Sequence, residues 1–358
     1  MSENPYRLLA ERLDAMPNGF PATQDGVELR LLAKLFTPEE AALAAALRMT
    51  LETPAAAAQR TGGDPAAVAA QLKSMARRGL IKAGRTPAGM GFGLLPFVVG
   101  IYEFQCSTMD AEFARLFEDY YRQVFARAIN DGPPVHRVIP VDRTIQVDME
   151  VRPYESAAEI VAACKSWGVT DCICRKQKAL IGEPCGHPVD LCMVLGPAPG
   201  MFEGIPAIRL LTQDEATGEL RRAAELGLVH SVSNSQEGLW YICNCCTCGC
   251  AILRGMAELG MANVVARSAF VNRVDEALCV GCGDCVEKCQ FAALSLDGMA
   301  EVDRVRCVGC GVCILACPED ALGLVRRPES EVLPPPATMS DWSAERAAAR
   351  GLDLARIM

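Results

Sequence analysis

The chain has 358 residues, of which 51% are hydrophobic and 19 are cysteine, and its formal net charge is −9. That length exceeds one small core, so two or three domains are expected. An acidic chain is not built to coat nucleic acid with non-specific positive potential. No charged-then-apolar leader opens the sequence, and its most apolar run, Phe92 to Tyr102, is too short to span a bilayer. The expectation is a cytoplasmic protein without a membrane span.

In chain order, residues 1–25 read as a short helical lead-in broken by Pro17, Gly19 and Pro21. Residues 29–92 read as three helices and a short hairpin. Thr37-Pro38-Glu39-Glu40, Thr53-Pro54 and Asp64-Pro65 each place a capping side chain before a proline, the pattern of a helix start. The third helix stops at Gly79, and LIKAGRTPAGMGFGLL can fold back as a wing. Nine Lys and Arg stand against four acids here, with Lys73, Arg77 and Arg78 on the third helix. This pattern resembles the winged helix-turn-helix family. The resemblance implies either DNA binding, as in a redox-sensing regulator, or docking and dimerisation, since fold does not imply function. Docking is the preferred reading beside so many cysteines. The Phe97–Ile101 run and the pattern around Phe113–Tyr121 are expected to cover this domain.

Residues 101–270 hold eleven cysteines, including Cys172-x-Cys174, Cys185, Cys192 and Cys243-x-Cys245-Cys246-x-Cys248-x-Cys250. Dense cysteine in a chain of this size and class points to metal rather than to a disulfide scaffold. Adjacent Cys245 and Cys246 point in different directions and are not expected at one metal corner. Nine thiols make at most two four-ligand sites. Three readings stay open: a third [4Fe-4S] cluster drawing on both bunches, a zinc or other metal site, and redox-active or structural thiols. Arg175, Lys176 and Lys178 either lower thiol pKa values and offset cluster charge or form a solvated basic turn. His187, between Gly186 and Pro188, is expected as a turn histidine outside the metal shell. Between the bunches, Thr212 caps a helix that ends at Gly227.

Residues 271–327 are an internal repeat. VDEALCVGCGDCVEKCQFAALSL from Val274 aligns without a gap on VDRVRCVGCGVCILACPEDALGL from Val302, with every Cys matched and Asp297-Gly298 as a turn between the halves. The spacings are Cys279-x2-Cys282-x2-Cys285-x3-Cys289 and Cys307-x2-Cys310-x2-Cys313-x3-Cys317-Pro318. A tight loop supplies three thiolates of a cubane, and in such runs the fourth Cys serves the other cluster. Cys279, Cys282, Cys285 and Cys317 are therefore assigned to one [4Fe-4S] cluster, and Cys307, Cys310, Cys313 and Cys289 to a second. The segment resembles the bacterial two-[4Fe-4S] ferredoxin family over about 55 residues, departing from it at Gln290, where the family usually has Pro.

The order CICR, YICNCC and dicluster module, over most of residues 95–325, also resembles cytoplasmic 4Fe-4S ferredoxin-type proteins of anaerobic bacteria and archaea. That resemblance implies electron transfer with redox partner proteins and gives no substrate. No Rossmann glycine loop or phosphate loop appears.

The expected architecture is α+β and multidomain. A winged-helix-like domain (1–100) is followed by a Cys-rich α/β middle domain (101–270), a dicluster ferredoxin-like module (271–327), and a Pro-rich linker with a terminal helix (328–358). The expected role is that of an electron carrier or relay subunit of an anaerobic oxidoreductase. The alternatives are a redox-sensing DNA-binding regulator, and a reductase with an open iron site in the middle domain.

Overall fold

The computed structural model describes residues 4–141, 144, 149–261 and 264–358. The chain packs as two units. One comprises Met1–Gly132, Gln177–Glu183 and Ser343–Met358, and the other comprises Pro133–Lys176 and Pro184–Trp342. Most of the Cys-rich middle, residues 133–176 and 184–270, thus shares a unit with the repeat, while residues 101–132 and 177–183 belong to the first unit.

The first unit opens with five helices: α1 (Pro5–Asp14), α2 (Val27–Leu35), α3 (Pro38–Ala46), α4 (Pro54–Thr61) and α5 (Pro65–Arg77). Their starts follow from local chemistry. Thr37, Thr53 and Asp64 each accept a backbone N–H of the first turn, with Pro at the first helical position. Leu9, Leu13, Leu31, Leu32, Ala44, Leu72 and Met75 are buried, each Leu or Met side chain contributing roughly 1.5–3 kcal/mol. Strands β1 (Ile81–Thr86) and β2 (Gly89–Leu94) form an antiparallel hairpin, and Glu52 bridges to Phe92 beside it. Phe97 enters an aromatic cluster with Phe20 at 4.6 Å, and Tyr102 stacks on Phe117 of α6 (Ala111–Tyr120) at 3.8 Å.

In the second unit, strands β3 (His136–Val138), β4 (Ser166–Thr170), β5 (Cys192–Gly196), β6 (Arg209–Leu211), β7 (Val229–Ser233), β8 (Tyr241–Cys245) and β9 (Val265–Ala266) form one sheet among the described residues. Its order is β6-β4-β5-β8-β7-β3-β9, antiparallel except at the β3–β9 edge. Helices α7 (Ala157–Ala162) and α9 (Gln213–Glu225) carry Ile160, Val161, Ala216 and Leu220 into a core with Val169, Met193, Leu195 and Ile242. Between them in sequence lies α8 (Ile173–Leu180), at whose start Cys172 accepts the Lys176 N–H at 3.0 Å. Thr212 caps α9 with a full capping box, and Gly227 follows its end.

The repeat closes on itself. Strand β10 (Phe270–Val274) pairs with β13 (Leu322–Arg326), and β11 (Leu294–Asp297) pairs with β12 (Met299–Val302) around Gly298. Strands from the two ends of the repeat are therefore neighbours, which brings the ligand loop of each half against the last cysteine of the other. The module is tied to the middle of the same unit by Arg326, which pairs with Glu155 at 3.0 Å.

Candidate metal centre

The repeat places its eight cysteines in two groups. Cys279, Cys282, Cys285 and Cys317 line one cavity together with Val280, Leu296 and Ala300. Around Cys310 and Cys313 the neighbouring thiols are Cys307 and Cys289. Burial pushes the Cys310 thiol up to about 12 and Cys313 well above its ordinary value, with the neighbouring sulfurs adding to it. A free thiol there resists ionising, so the thiolate form needs a positive partner such as a metal.

Donors surround the sulfurs. The Ala293 N–H points at Cys289 Sγ (3.3 Å), Ala321 N–H at Cys317 Sγ (3.3 Å), and Ala300 N–H at Cys279 Sγ (3.5 Å). The buried Asn272 donates its amide to Cys313 Sγ at 3.2 Å. Buried Arg327 holds the second loop by donating to the Phe270 and Cys307 carbonyls at 3.0 and 2.6 Å. Gly281 and Gly309, equivalent in the repeat, have φ of 71° and 70°. A Cβ there would meet the Gly298 and Phe270 carbonyl oxygens at 2.2 and 2.1 Å, so no larger residue fits. Asn272 and Arg327 carry no sequence signal, because they act from β10 and from the residue after β13, outside the Cys spacing.

The nine middle cysteines divide differently from any single-site reading. Six of them form a closed ring. Cys172 neighbours Cys174 and Cys192, Cys174 neighbours Cys250, Cys250 neighbours Cys245, Cys245 neighbours Cys243, and Cys243 neighbours Cys192. Sheet register builds much of it. Met193 pairs with Ile242 on β5 and β8, which sets Cys192 opposite Cys243, while Cys243 and Cys245 share a strand face. Cys172 follows the end of β4, where Thr170 pairs with Cys192.

The ring is electrically uneven. Its neighbours Cys174 and Cys192, aided by Arg175, hold Cys172 well below the ordinary thiol range despite burial. Cys245, at the opposite point of the ring, is lowered to about 7 by Cys243 and Cys250. Cys174, Cys192 and Cys243 are pushed up, each first by a ring neighbour.

Arg175 is buried on α8, donating to the Pro188 carbonyl at 2.7 Å and the Asn244 carbonyl at 2.6 Å. Burial works against its charge, but Cys172, Cys246 and Cys245 outweigh that and stabilise it. The solvated basic turn is therefore not what these residues form. Arg175 and Lys178 are both buried, and Lys178 pairs with Glu183 and lies 3.8 Å from Glu118, within the first unit.

The other three middle cysteines, Cys185, Cys246 and Cys248, lie together with His187, and Cys246 of this group also acts on Arg175. The histidine expected outside any metal shell is thus set among thiols. Its Nδ1 is 3.7 Å from Cys185 Sγ and 3.8 Å from Cys248 Sγ. Adjacent Cys245 and Cys246 do part company: one belongs to the ring and the other to this second group. Cys164 instead packs on the sheet core and donates to the Ile160 carbonyl.

A buried polar network backs the ring. His136 meets the Tyr241 hydroxyl at 2.9 Å, His230 meets Asn244 at 2.6 Å, and Asn244 donates to the Leu191 carbonyl at 2.7 Å. Ser231 reaches both His136 (3.4 Å) and Cys245 Sγ (3.9 Å).

The comparison with known families finds one match, between residues 278–321 and the 4Fe-4S dicluster domain. Comparison with curated proteins and with solved structures gives no match. The matched stretch supports an iron–sulfur protein with a ferredoxin-type domain in its C-terminal third.

Proposed function

We propose that the protein is an electron relay that binds two [4Fe-4S] clusters in the repeat and further iron and sulfide on the six-thiol ring. The observation that carries this reading is the cavity shared by Cys279, Cys282 and Cys285 of one half and Cys317 of the other. Four thiols converging from two loops, with N–H donors already aimed at them, suit a cubane. When bound, such clusters supply one-electron storage and release.

The chain's own residues do the rest. Crossed loops hold the two thiol groups side by side, which favours rapid exchange between them. N–H groups at Cys279, Cys289 and Cys317 and the Asn272 amide at Cys313 offset thiolate charge, which favours the reduced state. The ring offers two sulfurs more than one cubane needs, and Arg175 supplies it with a fixed cation.

The helices and hairpin of residues 27–94 are read as a winged-helix-like docking module. Arg78 donates to the Leu35 carbonyl at 3.2 Å and pairs with Glu40, so it is occupied in holding this unit together. Exposed Lys73 and Arg77 are the pair with which to test nucleic-acid binding. Their joint replacement by Glu leaves Arg78 in place, and sequence-specific binding in the wild type that this change abolishes would favour a regulator.

The direct test is iron and acid-labile sulfide per chain on protein purified without oxygen. About eight of each means that the repeat alone is loaded, and about twelve adds one cubane on the ring. A higher count would mean that all six ring thiols hold a larger assembly. Fewer than about four of each sinks the proposal.

A further inference from the structure

We infer that Cys185, His187, Cys246 and Cys248 form a closed, single-ion zinc site, separate from every iron–sulfur position in the chain. Zinc takes thiolate sulfur at ~2.3 Å and imidazole nitrogen at ~2.0–2.1 Å in a tetrahedron, which sets sulfurs ~3.8 Å apart and sulfur from nitrogen by ~3.6 Å. Cys185 Sγ lies 3.8 Å from Cys246 Sγ and 3.7 Å from His187 Nδ1, and Cys248 Sγ lies 3.8 Å from that same nitrogen. All four donor atoms fall within 4.8 Å of one another.

A built-in control separates this geometry from a cluster site. Among the described residues, this is the one group of three or more cysteine, histidine or acidic side chains whose donor atoms are all so close. Neither the ferredoxin loops nor the six-thiol ring meets that condition. A cubane keeps its thiolates apart because each binds a different iron corner, whereas one ion draws all four donors to itself. The four atoms here have single-ion spacing.

The donor set is also supported from behind. The His187 ring meets the Leu226 backbone as well as the sulfurs, the type of second contact that orients a metal-bound imidazole. Its loop is fixed by Asp190, which pairs with Arg222 of α9 at 3.0 and 3.1 Å. Cys185 and Cys246 pack with Leu191, Ala223 and Leu228, an apolar wall of the kind that encloses structural ions. With four protein ligands, no position remains for substrate, so the site is structural. It would pin the loop that leads into β5, whose first residue is Cys192 of the ring, to the turn after β8 that carries Cys250.

The site shares no thiol with the ring or the repeat, so its failure and the failure of the electron-transfer reading give different signals. The test is zinc per chain, measured beside iron and sulfide, on oxygen-free protein washed with chelator, together with X-ray absorption at the zinc edge. The expected result is about one zinc per chain, with three sulfurs at ~2.3 Å and one nitrogen at ~2.0–2.1 Å. Cys248→Ser, at an exposed position, and His187→Ala should each lower retained zinc roughly tenfold or more while iron and sulfide stay constant. Wild-type protein without zinc, a mononuclear iron in its place, or variants that lose iron and keep zinc would each overturn the inference.

Discussion

Gln290 accepts the Thr247 N–H through Oε1 at 2.7 Å, and its amide donates to the Gly227 carbonyl. It follows Cys289 in the repeat, while Thr247 stands between Cys246 and Cys248. One side chain therefore ties a loop of the repeat to the turn that carries Cys246 and Cys248 and to the end of α9. The departure from the proline usual in ferredoxins has a reason: a proline offers neither group. Replacing Gln290 by Leu or Pro should cost about 1–3 kcal/mol, because a half-buried N–H and the C=O of buried Gly227 lose their partner. Anaerobic urea unfolding measures it, and an unchanged midpoint in both variants would refute the role.

Cys317→Ser should damage the cluster held by the first loop, since Cys317 lines the cavity of Cys279, Cys282 and Cys285. Iron should fall by at most four atoms per chain, and electron paramagnetic resonance of the reduced protein should lose the coupling between neighbouring clusters. Loss of the site around Cys307 and Cys310 instead, read by redox titration, would overturn the crossed assignment.

Asn272→Leu removes one N–H···S contact of 3.2 Å at Cys313 with little change in side-chain volume. Hydrogen bonds to charged groups contribute ~1.5–3 kcal/mol, part of which differs between oxidation states. The potential of that cluster should drop by on the order of tens of millivolts, with its partner nearly unmoved. Equal shifts in both clusters would argue for a general structural change.

His136 supplies a pH dependence. Burial lowers its pKa from 6.5 to about 4. Above the ordinary value both folded and unfolded chains hold it neutral. As pH falls below 6.5 the unfolded chain takes up a proton that the buried ring refuses, so stability declines until about pH 4 and then levels. Between pH 7.5 and 5.5 the wild type should lose about 1 kcal/mol more than His136→Gln. Parallel urea titrations at the two pH values check this, and identical slopes would remove His136 from the account.

Legibility in the sequence followed the range of the interaction. The repeat was readable because its ligand spacing is local and doubled, and helix starts at Thr37, Thr53, Asp64 and Thr212 because caps act over one turn. The parting of Cys245 and Cys246 was readable from strand alternation alone. The ring was not readable, since Cys192 and Cys243 meet only through the β5–β8 register, which needs the whole sheet. The place of His187 among thiols was not readable, because a glycine–proline turn marks exposure in general and nothing local says that Cys246 and Cys248 will arrive beside it. Arg175 could be read either way until its two carbonyl partners, thirteen and sixty-nine positions along, were in place.

That arginine stands between two thiol groups and belongs to both. The sulfurs of both groups lie within electrostatic reach of this one cation, so charge that accumulates on one side is felt on the other. A cation bound at Cys246 adds positive charge beside the guanidinium, and the two together stabilise an added electron on the ring. Thermodynamic reciprocity then requires that an electron on the ring tighten the hold on the ion by the same factor. A site with no open coordination position would in this way act as a rheostat for its neighbour.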